Sequence, residues 1–266
     1  MLKDITIGQY ISGDSFIHKM DPRGKIFAVF IFMAALFTAK DFNAYGLVFA
    51  FSIFTILLSG ISLKYYLRGL KPLIFIIILT SSMHLFLTPG EEIWSWGILV
   101  LTKEGLRQGF FMGLRLALLI VITSVLTLST TPIALTDGIE KLLNPFKRIG
   151  VPAHELAMMM TIALRFIPTL IEETEKIMNA QKARGADFES GNLINRGKAL
   201  IPILVPLFIS SFRRADDLAI AMEARCYRGG EGRTRLRELA YSYRDFLAIF
   251  VVLILLAIVI YFKMNI

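Results

Sequence analysis

Cysteine is almost missing from this chain: Cys226 is its single copy in 266 residues. One cysteine excludes an intramolecular disulfide and any CxxC redox or metal motif. Histidine is also scarce, with His18, His84 and His154 too far apart to act as paired ligands. The run "HELAMM" begins like a zinc-protease HExxH signature but places Met158 where the second histidine must stand. Neither a GxxxxGKS phosphate loop nor a GxSxG nucleophile elbow occurs, so ATP hydrolysis is not expected of this chain. No bound cofactor or metal is expected either. Charge is thin at 19% of residues, where a soluble domain carries about 25%. The polar stretch up to Lys25 lacks the apolar core of a cleaved signal peptide, and the first membrane segment is expected to be retained.

What fills the space is apolar: 55% hydrophobic residues, 21 of them Phe. Such a chain reads as an all-α integral membrane protein. Crossing about 30 Å of hydrocarbon at 1.5 Å per residue takes roughly twenty apolar residues. Windows of that kind lie near 25–39, 44–63, 71–88, 106–130 and 245–262, a count of five, with four or six open. The first is short, and "AKDFN" closes it with a tight break. This divides the chain into an N-terminal membrane region (1–130, four spans), a middle segment (131–244) and a last span (245–266).

Orientation follows from the short loops. "SLKYYLRGLK" carries Lys64, Arg68 and Lys71 without an acid, and Lys19, Arg23 and Lys25 precede the first span. Both stretches are expected in the cytoplasm. The loop "TPGEEIWSWGILVLTKEG" holds Glu91, Glu92 and Glu104 against Lys103, with Trp94 and Trp96 suited to an interfacial belt, and is expected outside. Alternation then puts the N-terminus and the middle segment in the cytoplasm and "KMNI" outside.

That middle segment holds 17 Lys/Arg and 13 Asp/Glu yet stays rich in Leu, Ile, Met and Phe. After "GVPAHE", Met160, Ala163, Ile167, Leu170 and Ile171 follow a helical period, with Arg165, Glu172, Glu173 and Lys176 on the other face. The pattern predicts a helix to about Arg184 with Gly185 as its stop, and Pro168 as a kink or a junction. A second amphipathic helix, "ALIPILVPLFISSFRRADDLAIAMEAR", ends at Arg225. The turn-rich "GADFESGNLINRGK" separates them.

Both helices finish alike, "AQKAR" and "AMEAR". A single such ending is most simply a basic last turn favoured by the helix dipole. Two endings, with Ala180, Ala183, Ala221 and Ala224 stripping bulk from the last turn, fit a close approach to two similar acidic grooves, each taking an arginine fork. Elsewhere, Gly105, Gly109, Gly113 and Ala117 form a small-residue stripe expected to pack against another span of the chain or, less simply, a partner. Arg115 lies within the fourth span, where it either bonds a backbone carbonyl, snorkels, or marks an intramembrane polar site.

In combination, "DPRGK" (Asp21 to Lys25), "TLSTTP", "IEKLLNPFKRIGVPAHELAMMMTIALRFIP", "AQKARGADF" and "AMEARCYRGG" resemble the transmembrane T component of energy-coupling factor (ECF) transporters, ATP-driven micronutrient importers. The resemblance covers nearly the whole chain. One departure is Cys226, which stands where the first motif has Gly185. The resemblance implies that the two helix ends are coupling helices docking on two ABC-type ATPase subunits through Arg184 and Arg225, supported by Ala183, Gly185 and Ala224. It implies ATP and Mg on those partners, and a membrane-embedded S component that binds the vitamin or metal. It also implies a multi-pass protein of a bacterial or archaeal cell membrane, without nucleic-acid partners. The rival reading is a membrane enzyme such as an intramembrane hydrolase, which needs convergent nucleophile, base or ligands at one membrane depth. Net charge +8 alone also fits an anionic surface, but the positive charges alternate with acids as solvated helix faces do.

Overall fold

A computed structural model describes residues 10–96, 99–188, 193–230 and 238–264; the side chains of 94–96, 99, 100, 193, 195 and 196 lie outside the description. Among the described residues the chain is all-α apart from one hairpin. In order come α1 (Pro22–Thr38), α2 (Phe42–Ser59), α3 (Leu63–Leu70), α4 (Ile74–Leu87), β1 (Glu92–Trp96), β2 (Leu99–Thr102), α5 (Lys103–Leu128), α6 (Pro132–Leu143), α7 (Ala153–Ala183), α8 (Leu193–Ala224) and α9 (Tyr243–Met264). Short 3₁₀ turns, Lys71–Leu73 and Asn144–Ile149, precede α4 and follow α6.

Among the described residues five helical stretches are long and apolar enough to cross a membrane: Phe42–Ser59, Leu63–Leu87, Lys103–Leu128, Ala153–Ala183 and Tyr243–Met264. The count equals the expectation, but the membership differs. The 17 residues of α1 reach only about 26 Å, short of the hydrocarbon thickness. In its place stands α7, whose 31 residues satisfy length and composition although its charge pattern is amphipathic. The basic stretch "SLKYYLRGLK", read above as a loop, is helical over Leu63–Leu70. Its Tyr66 is buried and its hydroxyl lies 2.8 Å from Ser59 Oγ. "LINRGK", read as part of a turn, belongs to α8. The acidic loop between α4 and α5 is an antiparallel hairpin pairing Trp94 with Leu101 and Trp96 with Leu99. The Trp94 and Trp96 side chains expected in an interfacial belt lie outside the described residues.

Backbone contacts divide the chain into two compact units, one holding the described residues from 139 to 230 and the other those from 10 to 138 and from 238 to 264. The second unit holds α1 to α5, most of α6 and α9. Its core is built from Phe32, Leu36, Tyr45, Val48, Leu118, Ile122, Val252 and Val259. Many large apolar side chains point outward, among them Phe30, Phe54, Phe75 and Phe250, each more than half exposed. A water-soluble protein would not leave such surface uncovered, whereas a lipid-facing helix gains from it.

The stripe on α5 packs on α4. A Cβ at Gly105 would come within 2.5 Å of the Leu85 carbonyl oxygen, and one at Gly109 within 2.8 Å of the Ser81 carbonyl oxygen. At Gly113 it would meet the Ser81 hydroxyl at 2.6 Å. Side chains at the first two positions would push the helices apart, so glycine sets their separation.

"DPRGK" ties three helix ends and the middle of α6 together. Asp21 caps α1, accepting the Arg23 amide at 2.8 Å and the Arg23 guanidinium at 2.9 and 3.0 Å. Pro22 begins the helix where no backbone donor is needed. Arg23 also donates to the Leu239 carbonyl at 3.0 Å and lies 3.9 Å over the Tyr241 ring. Gly24 makes room for Asp245, fully buried at the start of α9, which accepts the Asp21 amide at 2.8 Å and the Ser242 amide at 2.7 Å. Lys25 donates to the Ser129 carbonyl at 2.9 Å and to Thr130 Oγ1 at 3.0 Å beyond the end of α5. Pro22 in turn presses on Gly138 of α6, whose added Cβ would sit 3.0 Å away.

Candidate functional site

In the unit of residues 139 to 230, α7 and α8 lie in contact, and the Arg214 guanidinium donates to Glu173 Oε2 at 2.6 Å. Each runs past internal prolines, Pro168 in α7 and Pro202 and Pro206 in α8, without ending. The kink-or-junction alternative at Pro168 thus resolves to one continuous helix.

The two Ala-x-x-Ala-Arg ends adopt the same termination. At the end of α7 the Ala186 amide donates to the Gln181 carbonyl at 3.0 Å and the Gly185 amide to the Lys182 carbonyl at 3.0 Å, with Gly185 at φ +88°. At the end of α8 the Tyr227 amide donates to the Met222 carbonyl at 3.0 Å and the Cys226 amide to the Glu223 carbonyl at 2.8 Å, with Cys226 at φ +55°. These are paired Schellman caps: a left-handed residue closes the helix and satisfies carbonyls that lack intrahelical donors. Arg184 and Arg225 occupy the equivalent place in each, one residue before the left-handed turn, and both are exposed. Ala180, Ala183, Ala221 and Ala224 are exposed as well, so a low-relief surface lies beside each arginine. The sequence pointed to Gly185 as a stop and set Cys226 at the matching position; the structure shows that Cys226, a residue that avoids this conformation, takes the same left-handed role.

A polar relay holds the residues after the second arginine, and no reading of the sequence joined its members. His154, in the first turn of α7, has Nδ1 3.1 Å from Glu140 Oε1 on α6 and Nε2 3.3 Å from the Tyr227 hydroxyl. Gly230 lies against the same ring, where an added Cβ would come within 2.5 Å. A neutral imidazole satisfies the geometry, donating through Nδ1 to Glu140 and accepting the Tyr227 proton at Nε2. The second turn is therefore fixed to the base of α7 and to α6. The signal in the sequence was faint: a histidine at a helix start and a tyrosine two residues past an arginine, 73 positions apart.

The remaining marked residues lie in the other unit. Gly105, Gly109 and Gly113 face α4, as described above. Arg115 donates from Nε to the Tyr45 hydroxyl at 3.0 Å and from a terminal nitrogen to the Ala39 carbonyl at 3.4 Å. Among the described residues no three His, Cys, Asp or Glu side chains come together as a metal-binding group.

The family model described as cobalt transport protein, CbiQ, matches residues 13–236. The chain belongs to this family. Relatives of high identity carry the name energy-coupling factor transporter transmembrane protein EcfT. The one from Thermosediminibacter oceani is 62% identical over 257 residues, covering 97% of each chain. The one from Clostridium kluyveri is 58% identical over 260 residues, covering 97% of this chain and 96% of its own. That from Bacillus subtilis is 48% identical over 263 residues, covering 98% and 99%. The chain is thus a transmembrane component of an ECF transporter, a multi-pass membrane protein, and both Ala-x-x-Ala-Arg ends fall inside the family-matched region.

Proposed function

We propose that this chain is the coupling subunit of an ATP-driven micronutrient importer and is not itself an enzyme. Arg184 and Arg225, each on an exposed helix end, dock on two ABC-type ATPase subunits that bind ATP and Mg²⁺. Closure of the ATPases on ATP moves α7 and α8. Those helices transmit the motion to a membrane-embedded S component that carries the substrate, a vitamin or a metal ion. On this reading the helix ends and the N-terminus face the cytoplasm.

The observation that carries the reading is the repeated cap. Two helices of one compact unit end in the same backbone geometry with an exposed arginine at the same place, as two equivalent partner grooves require. An arginine buried in an acidic groove leaves its partner's charge stranded when removed, a loss of about 3–5 kcal/mol, whereas an exposed pair is worth about 0–1 kcal/mol. The apolar side chains left exposed on these helices, Met159, Met160, Phe208 and Phe212 among them, support an apolar docking face for the S component.

The test is to co-purify the chain with its candidate ATPases and substitute Arg184→Ala and Arg225→Ala, singly and together. Each single variant is expected to weaken ATPase association and the pair to abolish it together with uptake, while the chain still folds. Full association and uptake in the double variant would refute the coupling role.

A further inference from the structure

A cavity of about 430 Å³ opens at the end of the helix bundle where the α1–α2 turn, the last turns of α4 and the first turns of α5 meet. Lys40, Arg107 and Arg115 line it. Arg107, Phe111 and Arg115 follow one another at four-residue spacing along α5, so the two guanidiniums share a helix face on either side of an aromatic ring. That ring stacks on Tyr45 with centroids 4.5 Å apart and planes 6° apart. Arg115 is held from behind by Tyr45 and Ala39, and its second terminal nitrogen has no hydrogen-bond partner among the described residues.

The nearby carboxylates offset the charge of this wall only in part. Glu104 also lines the cavity, but its Oε2 accepts the Glu91 amide at 2.8 Å, which ties it to the hairpin end. Asp41 lies 3.6 Å from the Arg107 guanidinium through Oδ1, while its Oδ2 is buried and Asp41 is not part of the cavity wall. The cavity wall therefore sets three cations against the one carboxylate of Glu104, a positive balance, and the forks and ammonium suit a phosphate.

Beside the cavity lies an apolar face. Phe42 and Phe110, 72% and 57% exposed, stack with centroids 6.5 Å apart, and each ring sits 6.0 Å from Phe111 of the cavity wall. A free phosphate has no use for exposed aromatic surface at the end of membrane helices. A molecule with a phosphodiester head and acyl tails uses both.

We propose that this cavity is a binding site for an anionic phospholipid, with the phosphodiester held by Arg107, Arg115 and Lys40 and the acyl chains lying along Phe42 and Phe110. The site does not depend on the coupling role of α7 and α8. Arg115 is the anchored member; Lys40 and Arg107 are the exposed members that close over the headgroup.

The experiment is native mass spectrometry of the purified full chain titrated with phosphatidylglycerol, with phosphatidylcholine, or with phosphatidylglycerol in the presence of excess inorganic phosphate. Wild type is expected to retain a phosphatidylglycerol that phosphatidylcholine does not replace and inorganic phosphate does not displace. Lys40→Gln and Arg107→Gln, which leave the Tyr45 contact of Arg115 intact, are each expected to weaken that retention about fivefold. Lys64→Gln/Arg68→Gln, at the basic α3, is expected to leave it in place. Equal retention of the two lipids, undiminished retention in Lys40→Gln/Arg107→Gln, or displacement by inorganic phosphate would each overturn the assignment. Should the double variant unfold by circular dichroism, Phe42→Ser/Phe110→Ser decides, since loss of the same lipid is expected there and its full retention would refute the proposal.

Discussion

Cys226 holds at φ +55° the left-handed conformation that Gly185 holds at φ +88°, one residue past the arginine at each helix end. A side chain in that conformation costs about 1–2 kcal/mol, and glycine escapes the cost at the expense of more unfolded-state freedom. Cys226→Gly is expected to raise the stability of the protein by about 0.5–1 kcal/mol, and Gly185→Ala to lower it by about 1 kcal/mol. The thermal midpoint of the solubilised chain checks both; a fall for Cys226→Gly would mean that the thiol makes a compensating contact.

The relay from Glu140 through His154 to Tyr227 predicts a local effect. Tyr227→Phe removes the hydroxyl and with it the partly buried hydrogen bond to His154, worth about 0.5–1.5 kcal/mol. The amide of Tyr227, which donates to Met222, is expected to exchange about two- to tenfold faster with solvent deuterium. Gly230→Ala, which drives a methyl into the His154 ring, is expected to speed it further. Exchange at the Ala186 amide of the other turn is expected to stay unchanged in both.

Asp245 accepts two backbone amides in a fully buried position. Asp245→Ala strands both donors at about 1–3 kcal/mol each, and a loss of about 2–6 kcal/mol is expected to abolish stable expression. Asp245→Asn keeps one carbonyl oxygen and is expected to express with a lowered melting temperature. Equal behaviour of the two variants would exclude amide capture as the reason for the acid.

The glycine stripe on α5 separates rigid from yielding neighbours. Gly105→Ala meets a backbone carbonyl and is expected to cost about 1–3 kcal/mol. Gly113→Ala meets the Ser81 hydroxyl, which can rotate, and gains helix propensity of up to about 1 kcal/mol. It is expected to be neutral or stabilising. Melting curves of the two variants side by side test whether α4 sits as close as described.

Much of the architecture was legible because hydrophobicity and periodicity are local properties. Four of the five apolar windows became membrane-length helices, and the end of α7 fell at Arg184 as the Gly185 stop implied. The errors were also local. "SLKYYLRGLK" was read by its charge, yet a strongly amphipathic helix tolerates Lys64 and Arg68 on one face while Tyr66 is buried on the other. The hairpin over Glu92–Thr102 escaped because its strands are short and hold an apolar run without a clean two-residue alternation.

By itself the sequence determined the class of the protein, the approximate spans, the repeat of Ala-x-x-Ala-Arg and the stripe of glycines, since each is written in spacing along one helix. Only the tertiary structure decided that Asp21 meets Asp245 across 224 residues, that His154 meets Tyr227 across 73, and that Cys226 turns as Gly185 does. The physical reason is that a buried polar group must find a partner wherever the fold supplies one, and spacing along the chain carries no record of which residue that is.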